Sequence, residues 1–260
     1  MALRFTIDYL RHRLTANSRH GTHSPFVYRL VDEVIYDFSE KKVYEPIENL
    51  RKKLLNDDTE IEITDFGAGS LTNNNRRRKL SQLAASSLKS PRLAQLIYRL
   101  ASDHPANQLL ELGTCLGITT AYLARANPQA KLTTIEGCPE TAKAAARNFR
   151  ALNLPDMELL TGNFDALLPP LLKGLPRLDF IYVDGNHTKE ATLRYFYLSL
   201  AKAHEGTLML FDDIYWSSGM KEAWQEIKAH PQVTVTIDLF WIGLVYFRKG
   251  QAKEHFKIRF

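Results

Sequence analysis

Cysteine is nearly absent from this chain: Cys115 and Cys138 are the only two among 260 residues. Two cysteines cannot build the cross-linked framework of small secreted folds, so a reducing, cytoplasmic setting is expected. Long apolar runs are lacking as well. No stretch reaches the roughly 18 apolar residues of a membrane span. The opening MALRFTIDYLRHRL is broken by charges where a signal peptide would carry its apolar segment. No membrane partner is therefore expected. Charge of one sign is also scarce, with 34 Lys and Arg against 29 Asp and Glu, a net +5. The excess is uneven, because residues 1–105 hold 17 basic side chains against 13 acidic ones and the remainder 17 against 16. Such a bias can attract anionic partners, and it also suits a solvated helical surface.

From residue 106 onward, short apolar runs alternate with segments of helical period. Strands are expected at 108–112, 131–136, 157–161, 178–183, 207–211, 233–239 and 241–247. Helices are expected at 118–126, 139–152, 187–203 and 219–229, with one after residue 161 that Pro169 and Pro170 would interrupt. Apolar strands alternating with helices predict an α/β fold with a mostly parallel, doubly wound, seven-stranded Rossmann-like sheet. The last two runs, one residue apart, predict a C-terminal antiparallel hairpin. Residues 1–105 read instead as helices at 5–14, 26–36, 46–56 and 91–102, with Ser24-Pro25 as a helix start. The expected organisation is a helical cap or lid over 1–90, a nucleoside-binding α/β domain over 91–250 and a tail over 251–260.

Leu109–Gly117, LLELGTCLG, is an apolar strand that breaks into a glycine turn and opens a helix. Gly113 permits a tight turn and close backbone approach to a ligand. Glu136, 19 residues beyond Gly117, ends the next apolar run where a ribose-binding carboxylate should emerge. Close packing of helix on strand is the structural alternative for Gly113 and Gly117. A second glycine segment, Asp65–Ser70, has no matching carboxylate after a second strand. It reads as a loop, or as a lid carrying Arg76–Arg78 toward an anionic group.

The fourth apolar run ends in Asp184-Gly-Asn-His187 and the fifth in Asp212-Asp213. On neighbouring parallel strands, about 4.8 Å apart, these acids leave one sheet edge and repel unless a cation or protons intervene. Oxygen ligands with no cysteine pair nearby favour Mg²⁺ or Mn²⁺. The alternative is that Asp212 and Asp213 cap the next helix, a task for which Ser217 and Ser218 are better placed. His187 can take a proton from a substrate hydroxyl or can serve as a capping or surface residue. Tyr215 and Trp216 can wall a pocket or join the core.

Together these residues resemble the class I S-adenosylmethionine-dependent methyltransferases over about residues 91–248, and this resemblance makes 91–250 a methyltransferase domain. Glu111, Gly113, Thr114, Cys115 and Gly117 match the motif that contacts the methionine part of the cofactor. Glu136 matches the ribose-binding acid, with Gly137 beside it, and Gly162-Asn163-Phe164-Asp165 matches the segment beside the adenine. Tyr182-Val-Asp-Gly-Asn-His187 with Leu210-Phe-Asp-Asp213 narrows the resemblance to metal-dependent O-methyltransferases of the catechol and macrolide or aminocoumarin sugar groups. It implies that Asp184, Asp212 and Asp213 ligate Mg²⁺ or Mn²⁺, that Asp184 also adjoins the cofactor, and that Asp184 or His187 is the catalytic base. Catechol enzymes typically carry lysine at the position of His187 and asparagine at that of Asp213, so the resemblance leans toward the sugar-modifying branch.

The implied function is metal-assisted methylation of a hydroxyl on a small molecule or sugar. Two other readings are methylation of a hydroxylated RNA base, motivated by the basic first segment and Arg76–Lys79, and non-catalytic binding of S-adenosylmethionine. A homodimer is the default assembly.

Overall fold

The computed structural model describes residues 2–64, 77–154 and 157–260. No helix among them is long and apolar enough to cross a membrane. The chain forms two compact units, one of residues 1–37 with 172–260 and the other of residues 38–171. The expected boundaries at 90 and 250 do not coincide with this division. The helical first segment is divided between the two units.

The first unit begins with α1 (Ala2–Thr15) and α2 (Pro25–Arg29), which continues into a π-helical turn over Leu30–Ile35. Ser24 is the N-cap of α2, with Pro25 at the first turn where its missing N–H costs nothing. Its hydroxyl makes no capping bond and accepts from Gln251 Nε2 at 3.2 Å. Phe5, Tyr9 and His12 recur at helical spacing on α1 and pack on Phe240, with ring centroids 5.1, 5.0 and 5.5 Å away. The His12 ring lies 3.0 Å from Asp238 Oδ1, and Tyr215 donates to Asp238 Oδ2 at 2.7 Å. Burial alone would raise the Asp238 pKa; the bonds from His12, Tyr215 and the Phe240 N–H outweigh it and hold this carboxyl below its ordinary value.

The second unit contains α3 (Tyr44–Leu54), β1 (Glu60–Glu62), β2 (Arg77–Lys79), α4 (Leu80–Ser87) and α5 (Pro91–Asp103). It continues with β3 (Gln108–Leu112), α6 (Ile118–Ala126), β4 (Lys131–Glu136), α7 (Pro139–Ala151), β5 (Glu158–Thr161) and the start of α8 (Phe164–Gly174). β3, β4 and β5 pair in parallel, as continuous apolar strands joined by helices should. α8 runs through Pro169 and Pro170, contrary to the expected interruption. The carbonyls these prolines leave without a helical donor belong to Asp165 and Ala166, two exposed residues where water can substitute.

The first unit resumes with β6 (Phe180–Val183), α9 (Lys189–Leu200), β7 (Leu208–Asp212), α10 (Ser218–Ala229), β8 (Val235–Asp238), β9 (Ile242–Tyr246) and β10 (Glu254–Lys257). β6 and β7 are parallel, β9 runs antiparallel to both β7 and β8, and β10 lies parallel to β8. The fold is thus α/β with mostly parallel pairing. β10, paired with β8, lies beyond the seven runs expected as strands and occupies the segment read as a tail. Its four residues, Glu-His-Phe-Lys, are too polar and too few for an apolar period to reveal them.

Candidate active site

In the second unit, β3 ends at Leu112 and the chain turns through Gly113 (φ 103°), Cys115 (φ 49°) and Gly117 (φ 80°) into α6. Both glycines occupy the left-handed region that glycine tolerates without strain. Gly113 N–H and Thr114 N–H donate to the Ile135 carbonyl at 2.9 and 3.3 Å, tying the loop to the end of β4. Gly117 has a second constraint. A Cβ there would lie 2.4 Å from Phe149 Cε1 on α7, so close packing explains this glycine.

Glu136, the last residue of β4, accepts the Cys115 N–H at 2.7 Å on one carboxylate oxygen and the Cys138 N–H at 2.9 Å on the other. Its carbonyl accepts the Gly162 N–H at 2.9 Å. One residue therefore joins the glycine loop, the start of α7 and the turn after β5. A carboxylate offers about four acceptor sites, so holding the loop is compatible with also accepting a diol.

Glu111 is fully buried and accepts the hydroxyls of Thr120 at 2.5 Å and Thr134 at 2.7 Å. Because the Thr134 proton goes to Glu111, Thr114 donates to Thr134, at 2.6 Å. Thr114 and Glu111 thus brace the loop from beneath. Asn163 accepts the Asp165 N–H at 2.8 Å and starts α8, whose first residue is Phe164. Gly137 separates Glu136 from Cys138, the N-cap of α7.

The acidic cluster lies in the first unit, where β6 and β7 run in register with Val183 opposite Phe211. Asp184 and Asp212 therefore sit at the same sheet edge. The ligand atoms of Asp184, His187 and Asp212 lie within 4.8 Å of one another. His187 Nε2 is 3.7 Å from Asp184 Oδ1 and 4.0 Å from Asp213 Oδ2. Asp212 is buried, whereas Asp184, His187 and Asp213 are partly exposed. Asp213 has a left-handed backbone (φ 53°), fixed by its N–H to the Trp241 carbonyl at 2.7 Å.

This donor set suits a hard divalent cation. It offers carboxylate oxygens and an imidazole nitrogen and no thiol. Its spread approaches the ~4.2 Å between opposite ligands of a Mg²⁺ ion with bonds of about 2.1 Å. The grouping differs from the expected triad in that His187, not Asp213, completes the compact set.

The capping alternatives resolve on geometry. Ser217 Oγ accepts the Met220 N–H at 3.1 Å and caps α10, so Asp212 and Asp213 do not. Thr188 Oγ1 accepts the Ala191 N–H at 3.3 Å and caps α9, which relieves His187 of that task. Tyr215 is stacked on Phe240 at 4.6 Å and bonded to Asp238, so it belongs to the packing of α1. Trp216 is 39% exposed.

Tyr182 opens the motif that ends at His187, but the sequence reading assigned it no role at the site. Fully buried on β6, it directs its hydroxyl at Asp184 Oδ2 and Asp212 Oδ1, each at 3.1 Å. The available signal was a tyrosine two residues before Asp184 on a strand, hence on the same face. Thr120 and Thr134 were missed because a hydroxyl amid apolar neighbours gives no periodic signal.

The loop Asp65–Ser70 and Arg76 lie outside the described residues. Arg77, Arg78 and Lys79 form β2, opposite Glu62, Ile61 and Glu60 of β1. Lys79 also pairs with Asp58 at 3.2 Å. Among the described residues, one member of the basic run that motivated the RNA reading is thus matched by a local acid.

Residues 110–214 match the family model described as a methyltransferase domain. The chain is 33% identical over 128 residues to a catechol O-methyltransferase of Niastella koreensis, covering 48% of this chain and 57% of that protein. It is 28% identical over 145 residues to a catechol O-methyltransferase of Mycobacterium tuberculosis, covering 53% and 64%. The matches span about three fifths of these curated relatives. Its fold is similar to that of the O-methyltransferase TomG from Streptomyces achromogenes, solved with S-adenosylmethionine, with a TM-score of 0.58 at 20% identity over 85% of this chain and 95% of that one. Residues 110–214 thus match a methyltransferase domain by sequence, and the fold is similar to that of an O-methyltransferase solved with S-adenosylmethionine.

Proposed function

We propose that this protein transfers a methyl group from S-adenosylmethionine to a hydroxyl of a small molecule or sugar, with a divalent cation held at the acidic cluster. The observation that carries this reading is the convergence of Asp184, His187 and Asp212 within 4.8 Å at the ends of neighbouring parallel strands. The catechol O-methyltransferase relatives support a small hydroxylated acceptor.

Asp184 and Asp212 would hold Mg²⁺ or Mn²⁺, Asp213 would add a further oxygen from beside His187, and the His187 imidazole would border the cation as the proton acceptor and not as its ligand. S-adenosylmethionine supplies an electrophilic methyl on a sulfonium, and the cation supplies positive charge that neighbouring oxygens of one acceptor can share and that favours the deprotonated hydroxyl. Glu136 and the loop from Gly113 to Gly117 would hold the nucleoside and methionine parts of the donor, with Asn163 and Phe164 beside its base. His187 accepts the hydroxyl proton at Nε2. The acceptor oxygen would take the methyl carbon as the carbon–sulfur bond gives way, with S-adenosylhomocysteine as the other product. The protein's largest task is to hold oxygen, carbon and sulfur in line, which removes much of the entropic barrier.

The test is methyl transfer from labelled S-adenosylmethionine to fractionated hydroxylated metabolites, with Mn²⁺ or with excess EDTA. Transfer that requires the metal is expected. Full activity in EDTA would remove the cation, and calorimetry showing no S-adenosylmethionine binding would remove the donor.

A further inference from the structure

We infer that Tyr182 is a positioning residue that sets the separation of the Asp184 and Asp212 carboxylates for a divalent cation; this rests on the cation assigned under the proposed function. Tyr182 and Leu210 are register partners on the parallel strands β6 and β7. Asp184 and Asp212 each follow by two residues, so the tyrosine and both acids share one face of the sheet. The tyrosine ring is fully buried and its hydroxyl meets one oxygen of each carboxylate at 3.1 Å.

Two carboxylates at neighbouring strand ends repel, and each side chain can relieve that repulsion by rotating about its Cα–Cβ bond. A phenolic hydroxyl between them opposes such rotation. It has one proton, so it donates to one acid at a time and is drawn equally to both, as the matched distances show. Fixing Asp184 Oδ2 and Asp212 Oδ1 on the hydroxyl also fixes the plane of each carboxylate, and with it the direction of the second oxygen. On Asp184 that second oxygen is the one facing His187 at 3.7 Å. The hydroxyl therefore prearranges the donor set at the cost of one buried polar group, which it satisfies itself.

Groups that orient metal ligands typically govern affinity by about 10- to 100-fold. Tyr182→Phe keeps the ring and removes only the hydroxyl. In the full chain, Mn²⁺ affinity measured by electron paramagnetic resonance should fall about 10- to 100-fold, while S-adenosylmethionine affinity by calorimetry stays within about twofold. Methyl transfer should recover as Mn²⁺ is raised toward saturation, with the metal requirement displaced and the maximal rate largely restored. A general loss of structure would lower donor affinity and would not respond to metal. Tyr182→Met, a flexible apolar replacement, is the second hydroxyl-free variant should the phenylalanine one fail to fold. If the unsubstituted protein binds Mn²⁺ and both folded variants bind it equally well, the role of Tyr182 is overturned and the cation stands. If the unsubstituted protein binds no Mn²⁺, the cation reading falls and the positioning role falls with it.

Discussion

The glycine loop and the acidic cluster carry similar chemistry and are built in opposite ways. At the loop, polar groups are spent on one another. Thr114 donates to Thr134, which donates to Glu111, which also takes the Thr120 hydroxyl. Glu136 takes two backbone N–H groups. At the cluster, two carboxylates share one tyrosine hydroxyl, and the imidazole stands 3.7 and 4.0 Å from its neighbouring acids, beyond hydrogen-bond distance. The loop is braced by hydrogen bonds from several segments, while the cluster gathers carboxylates and an imidazole at one sheet edge. Stability and function should therefore separate between the two regions when each is mutated.

The largest effect is expected from Asp212→Asn. It removes a charge where two carboxylates crowd, so methyl transfer should fall on the order of 10³-fold, comparable to losing one key electrostatic contact in an enzyme site. Melting temperature should stay level or rise, because activity-bearing charge is commonly held at the expense of stability. A marked drop in melting temperature with activity retained would break the contrast.

Gly117→Ala tests the other region. The new Cβ meets Phe149 at 2.4 Å and must also adopt a φ of 80°. Overpacking of this kind costs about 1–3 kcal/mol, with left-handed strain added, and urea unfolding would measure it. An unchanged unfolding midpoint would show that this end is not the braced one.

Thr134→Val is the finest probe. It preserves shape while removing the middle hydroxyl of the buried chain, and leaving Glu111 short of a donor should cost about 1–3 kcal/mol. Pairing it with Thr114→Val in a double-mutant cycle should give less than additive losses, since both act through one chain of bonds. Strict additivity would mean the threonines act separately.

The alternating apolar runs made β3, β4, α6 and the other elements of the α/β region legible, because burial on both faces leaves an unbroken apolar signature. Glu136 and Asp184 were legible as acids ending apolar strands. Tyr182 was not, because its importance depends on Asp212, 30 residues away, lying beside Asp184 in register. β10 was hidden for a related reason: a short polar strand exists only because β8 offers it an edge.

The sequence by itself determined the order of strands and helices from β3 to β9, the glycine turn and the placing of acids at strand ends, since each depends on local period or on residue type. Tertiary structure alone decided that Glu136 ties three segments together, that Gly117 is glycine for the sake of Phe149, and that His187 joins Asp184 and Asp212. Those facts are distances between residues far apart in the chain, and only the pairing of strands and the packing of helices sets them.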